Sequence, residues 1–186
     1  MIKVFIDGQS GTTGLRIRDR LLKRDDIELL EIPQDKRKDS AEISKYINDS
    51  DITFLCLPDD AAREAVKLLD SSNSHTKIID ASTAHRTEPG WAYGFAELSP
   101  EFRKNIAENR LIANPGCYAS GFISIVYPLI AHGAIAKDYP LTCFAVSGYS
   151  GGGKSAIAQY EDAERDTELD SPSSTDLPSS TSISKR

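Results

Sequence analysis

The first ~115 residues predict an α/β fold, and two observations carry that expectation. Short apolar runs alternate with helix-periodic stretches, the order of a parallel sheet covered on both faces. A glycine turn, Gly8-Gln9-Ser10-Gly11-Thr12-Thr13-Gly14, links the first run to the first helix. Together they define a Rossmann-like parallel-sheet domain over residues 1–115. An incomplete α+β domain over 116–170 and a disordered low-complexity tail over 171–186 are expected to follow.

Each element has its own signal. Ile2-Lys3-Val4-Phe5-Ile6 is the first strand, and a helix from about Thr13 to Lys23 carries Leu15, Ile17, Leu21 and Leu22. Glu28 to Ile32 is a second strand, stopped by Pro33. Asp39 or Ser40 caps a helix with Ile43 and Ile47 four apart. Ile52 to Leu57 is a buried strand ending at Pro58, followed by a helix with Ala62, Val66 and Leu69 on one face. Lys77 to Ala81 is the next strand. Ser99-Pro100-Glu101 starts a helix with a cap, a first-turn proline and an acid. Arg110 to Ala113 closes the set. A mostly apolar helix follows Cys117, Pro140 to Val146 reads as a strand, and a short helix runs from Ser155 to Ala163.

The glycine turn is a G-x-x-G-x-x-G variant of the dinucleotide fingerprint. Its glycines permit a tight turn, close approach to a pyrophosphate and close helix–strand packing. Gly8, Gly11 and Gly14 supply these, and Ser10, Thr12 and Thr13 add hydroxyl donors at a helix N-terminus that takes negative charge. The cofactor type is read at the end of the second strand. Glu31 suits the ribose hydroxyl of NAD, whereas Lys36, Arg37 and Lys38 suit the 2′-phosphate of NADP. The basic cluster favours NADP, with Arg37 and Lys38 as its ligands.

Cys117 sits in Asn114-Pro115-Gly116-Cys117-Tyr118, at the turn from an apolar run into a helix. Backbone N–H groups and the helix dipole there favour a thiolate, the form that attacks a carbonyl. Cys56 and Cys143 lie inside apolar runs and read as small hydrophobes. No Cys/His cluster has zinc spacing, so no metal is expected. Gly148-Tyr149-Ser150-Gly151-Gly152-Gly153-Lys154-Ser155 matches the phosphate-loop pattern by letter. An NTPase would need a further parallel sheet with a magnesium-binding aspartate, and only 31 acidic, low-complexity residues follow. The loop reads instead as an anion nest with Ser147, Gly148 and Lys154 toward a substrate. Of the histidines, His132 is too far along one helix to pair with Cys117, at roughly 22 Å. His75 lies in a Ser/Asn-rich loop, and His85 follows the carboxyl end of a strand, where ligands bind in such sheets.

Composition narrows the function classes. A net charge of −6 argues against nucleic-acid binding, and no apolar run is long enough to span a membrane. Three unpaired cysteines and the absence of a leader pattern suggest a reducing, cytoplasmic setting. Six acids lie within Glu161–Asp170, and nine of the last sixteen residues are Ser or Thr, which predicts disorder there.

The glycine turn, the Cys117 motif and the Ser147–Lys154 loop together resemble the N-acetyl-gamma-glutamyl-phosphate reductase family, in its shorter bacterial type. Asp80-Ala81-Ser82-Thr83-Ala84-His85-Arg86 and Tyr93-Gly94-Phe95-Ala96-Glu97-Leu98 share the likeness, which covers about residues 1–170. The family is related to aspartate-semialdehyde dehydrogenase and serves arginine biosynthesis as homo-oligomers. The resemblance implies an NADP-binding domain over 1–115 and part of a catalytic domain over 116–170. It implies that Cys117 attacks the acyl phosphate of N-acetylglutamyl phosphate, expels phosphate, and holds a thioester that NADPH reduces to the semialdehyde. Arg86, Asn114, Ser147, Gly148 and Lys154 are then the candidates for substrate anions. Family members run on through a full second domain carrying an acid–base histidine. Here the pattern is left after about Asp170, which suggests truncation or out-of-frame translation and an alternative as an inactive NADP-binding remnant.

Overall fold

The computed structural model describes residues 1–146 and 149–170. The chain forms two compact units, Met1–Phe144 and Ala145–Arg186.

The first unit is built on a parallel sheet. Strands β1 (Ile2–Asp7), β2 (Ile27–Leu30), β3 (Ile52–Leu55), β4 (Lys77–Asp80), β5 (Ala92–Tyr93) and β6 (Leu111–Ala113) lie in the order β2-β1-β3-β4-β6-β5. Every pair is parallel, with Val4 opposite Leu29 on one side of β1 and opposite Ile52 on the other. The chain therefore leaves β1 in one direction and returns to its other side, so the switch in strand order falls between β1 and β3. Ligands bind such sheets outside the carboxyl ends of the strands at that point.

Five helices connect these strands or follow them: α1 (Thr12–Leu21), α2 (Ser40–Asp49), α3 (Asp59–Lys67), α4 (Pro100–Glu108) and α5 (Cys117–Ala131). Their starts follow local chemistry. The Asp39 carboxylate accepts from Ala41 N–H at 2.9 Å and caps α2. Ser99 Oγ accepts from Phe102 N–H at the start of α4, with Pro100 in the first turn. The core is Phe5, Ile32, Ile47, Leu55, Ala62, Ala65, Ile78 and Ala84, with Tyr46 stacked on Phe5 at 5.3 Å. This burial, at about 25 cal/mol per Å² of apolar surface, is what holds the helices on the sheet.

Two expectations fail. Pro140 to Val146 is not a strand: it has no ladder partner among the described residues, and Phe144 stays 91% exposed. A strand exists only where a neighbour takes its backbone hydrogen bonds, and apolar composition alone does not supply one. Cys143 is accordingly exposed rather than buried in a strand. Conversely, β5 carries no sequence signal. It is two residues long and exists through its pairing with β6.

The second unit contains a 3-10 turn over Tyr149–Gly152, helix α6 (Gly153–Glu161) and a 3-10 turn over Thr167–Asp170. Among the described residues no helix is long and apolar enough to cross a membrane.

Candidate functional site

At the carboxyl end of β1 the chain turns at Gly8, with φ +81°, a conformation glycine adopts without cost. A Cβ at Gly8 would lie 2.2 Å from the carbonyl oxygen of Cys56, just past β3. The turn thus sits directly on the strand-order switch. Gly11 N–H donates to Gly8 O at 2.9 Å, and Leu15 N–H donates to Gly11 O as the first bond of α1. Gly14 is buried, and a Cβ there would lie 2.5 Å from Gly8 O. Gly8 and Gly14 therefore let loop and helix close on each other, leaving the N-terminus of α1 open. No acid occupies its first turn, so its positive end is not neutralised from within. Ser10 and Thr13 are exposed on this turn, and Thr12 is half-buried.

The residues after β2 meet this turn. Arg37 Nη1 donates to Ser10 Oγ at 2.9 Å, while its Nε is buried with no partner among the described residues. Lys38 is exposed beside it, and Lys36 pairs with Glu42 at 3.4 Å. Glu31 is held by Arg18, whose Nη2 and Nε donate to it at 2.7 and 3.2 Å. One oxygen of this carboxylate, Oε1, is thus engaged from α1, a contact the sequence does not announce.

Farther along the same sheet end lie the residues around Cys117. Asn114 N–H donates to Asp80 O at 2.8 Å, which ties the segment after β6 to the end of β4. Gly116 is the N-cap of α5, and Cys117 is its first residue, exposed. Arg86 reaches this turn from the loop after β4. Its Nε donates to Asn114 O at 3.1 Å and its Nη2 to Ala81 O at 3.4 Å. A Cβ on Gly116 would lie 2.6 Å from Arg86 Nη1. The guanidinium is thus packed on the residue immediately before Cys117. Asn114 turns its side-chain amide onto Pro115 O at 3.2 Å.

The loop that carries Arg86 is fixed by polar groups whose mutual bonds sequence reasoning did not give. Asp80 is fully buried and accepts from Ser82 N–H, Ser82 Oγ and His85 Nδ1 at 2.9, 2.7 and 2.6 Å. His85 is buried and stacks on Trp91 at 4.0 Å. Its Nδ1 hydrogen bond goes to Asp80. The signal available in the sequence was the aspartate closing an apolar strand, with serine and histidine two and five residues on. Thr83 donates through its amide and hydroxyl to Asp59. Those bonds, with Arg63 and Arg86 nearby, hold the Asp59 carboxyl below its ordinary range. Beneath the glycine turn, burial raises Asp7 against the bond from Gly8 N–H. Burial, then the charges of Asp7 and Asp80, push the Cys56 thiol up to about 11, which leaves it inert at neutral pH.

The remaining candidates lie elsewhere. His132 caps the far end of α5, its N–H donating to Pro128 O at 3.0 Å. Lys154 is exposed in the first turn of α6, in the second unit, so it sits on a helix rather than in the expected loop. Ser147 and Gly148 lie outside the described residues, as does the tail over 171–186. Among the described residues no group of acids, histidines and cysteines could hold a metal ion.

Residues 3–106 match the NAD-binding domain of semialdehyde dehydrogenase, and residues 117–172 match the semialdehyde dehydrogenase dimerisation domain. The chain is 57% identical over 160 residues to the N-acetyl-gamma-glutamyl-phosphate reductase of Brucella ovis, covering 86% of this chain and 51% of the relative. It is equally similar, over 159 residues, to N-acetyl-gamma-glutamyl-phosphate reductase 2 of a Nostoc species, of which it covers 49%. The chain thus spans about half the length of these curated relatives. Among solved structures it is similar to aspartate semialdehyde dehydrogenase from Francisella tularensis, with a TM-score of 0.61, 17% identity, and 86% of this chain and 48% of that one covered. Aspartate semialdehyde dehydrogenase II from Vibrio cholerae gives 0.58 at 16% identity, over 94% of this chain and 54% of that one. These two likenesses carry the fold.

Proposed function

The chain belongs to the semialdehyde dehydrogenase family, and on that premise we propose that it bears the cofactor site and the thiol of an NADPH-dependent N-acetyl-gamma-glutamyl-phosphate reductase. Residues 1–115 are its cofactor domain and 116–170 part of its catalytic domain. The observation that carries the reading is the Arg86 guanidinium laid on Gly116, immediately before the exposed Cys117. It brings a nucleophile and an anion-binding group to one turn.

The cofactor site fits a nicotinamide dinucleotide. Gly8 lets the turn close on the segment after β3 and Gly14 lets α1 close on the turn, which places the N-terminus of α1 at the strand-order switch where a dinucleotide's phosphates bind. NADP rather than NAD is supported by two details. Glu31 is taken up by Arg18, and Arg37 holds a buried, unpartnered Nε beside Ser10. A 2′-phosphate supplies the acceptor that Arg37 lacks, with Lys38 adding charge. When bound, the reduced nicotinamide supplies a hydride.

The rest of the chemistry belongs to this chain. Cys117 Sγ attacks the carbonyl carbon of N-acetyl-L-glutamyl 5-phosphate. A C–S bond forms, the C–O bond to phosphate breaks, and phosphate leaves with the bonding pair. Arg86, with Asn114, holds the phosphoryl oxygens. The backbone N–H groups at the start of α5 stabilise the oxyanion. The Cys117 thioester would be the acceptor of that hydride at its carbonyl carbon, and Cys117 Sγ would leave as thiolate to free the semialdehyde.

Calorimetry with NADPH and NADH, on the wild-type chain and Arg37→Ala, tests the cofactor reading. Loss of a charge-assisted contact should weaken NADPH by about 10- to 100-fold and leave NADH nearly unchanged. Equal weakening of both would refute the 2′-phosphate assignment. Phosphate-dependent NADP reduction with N-acetylglutamate semialdehyde tests the chemistry. Cofactor binding without turnover, and without acylation of Cys117, would favour the remnant reading.

A further inference from the structure

Arg86 is placed by a loop whose other residues are nearly all tied down. Ala84 packs in the core, Ser82 and His85 bond Asp80, and Thr83 bonds Asp59. Asp80 Oδ2 receives both the Ser82 hydroxyl and His85 Nδ1, so the imidazole is the donor. Trp91 covers one ring face at 11° from parallel. The next residue is Arg86, whose side chain spans from this loop to Asn114 and Gly116. The same Asp80 also accepts Asn114 N–H through its backbone oxygen. One residue therefore anchors both sides of the gap that Arg86 bridges.

We propose that Asp80 and His85 are a positioning pair that fixes Arg86 against the N-terminus of α5, so that a phosphate-type anion is held beside Cys117. The inference rests on the acyl-phosphate reading and adds to it the residues that set the anion site. The pair does not touch the substrate. It acts through the loop, which leaves the guanidinium one placement instead of the many rotamers an exposed arginine samples.

The test uses the full chain, with inorganic phosphate as the probe. Alkylation of Cys117 by iodoacetamide is followed at the Cys117 peptide by mass spectrometry against phosphate concentration. Phosphate should protect wild-type Cys117, and Arg86→Gln should abolish protection. His85→Ala should raise the phosphate needed for half-protection about tenfold, the worth of one well-placed charged contact. His85→Asn should restore protection, because its amide N–H stands where Nδ1–H does. NADPH affinity, read at the distant glycine turn, should be unchanged in both.

Wild-type protection that disappears in Arg86→Gln but persists in His85→Ala overturns the positioning role while the anion site stands. Failure of His85→Asn to rescue, or loss of NADPH affinity along with protection, also overturns it, since the pair would then be a folding determinant. If phosphate does not protect wild type, or still protects Arg86→Gln, the anion reading itself fails and the inference with it.

Discussion

Gly8→Ala and Gly90→Ala make a controlled pair. Both glycines have positive φ, +81° and +85°, so an alanine is strained at each. That strain costs about 1–2 kcal/mol. They differ in what the new methyl meets. At Gly90 nothing lies within 4 Å, whereas at Gly8 the Cys56 carbonyl oxygen lies at 2.2 Å and its carbon at 2.8 Å. The obstruction is backbone of the neighbouring strand segment, so β1 and β3 must separate at their carboxyl ends. That endangers the bond from Cys56 N–H to Asp7 O at 2.8 Å and the turn bond from Gly11 N–H to Gly8 O at 2.9 Å. At about 1 kcal/mol each, these add about 2 kcal/mol to the Gly8 variant alone. Urea unfolding followed by circular dichroism reads the difference as about 1 M in midpoint, for a slope of about 2 kcal/mol per M. Gly8→Ala should also lose NADPH binding, and Gly90→Ala should keep it. Midpoints that coincide for the two variants would show that contact with Cys56 is not what demands glycine at position 8.

Two other substitutions follow from the same geometry. Gly116→Ala should keep its stability within about 1 kcal/mol, because the backbone is ordinary and the obstruction is the end of a long side chain. It should nevertheless lose phosphate protection of Cys117, since Arg86 must leave. Asp7→Asn should stabilise the chain at neutral pH. Burial raises this carboxyl above its unfolded value of 3.8, so the native state holds the proton more tightly. Stability therefore falls as pH rises from the unfolded value through the raised one, and the amide removes that loss. The same change should speed alkylation of Cys56, whose thiol the Asp7 charge helps to raise. Unchanged melting temperatures across pH 3–8 would show that Asp7 is not coupled to folding.

Much of the sheet was legible because each strand is a short apolar run with a turn signal behind it. The glycine turn was legible because close approach leaves glycine no substitute, as at Gly8 and Gly14. Caps such as Asp39 and Ser99 are local events and were read from composition. What escaped depends on distant partners. β5 exists through β6, and Pro140–Val146 fails as a strand because none of the described residues pairs with it. Glu31 is a candidate ribose ligand by its position after β2, while its ion pair with Arg18, thirteen residues earlier, comes from tertiary structure. Asp80 gave away only its position at a strand end, and its three donors become visible when the loop folds back. The thiol at position 117 was found from its local setting, while the approach of Arg86 to Gly116 came from tertiary structure alone.

The stacking of Trp91 on His85 has a spectroscopic consequence. Trp91 is the chain's only tryptophan, so its indole emission arises from one place. That emission is set in a pocket whose one face is the His85 ring, so any displacement of the Ser82–Arg86 loop changes it. The protein thus carries its own optical gauge of the arginine arm. A tryptophan signal that stays level as an anion arrives, read without any attached dye, is what an arm already in place should give.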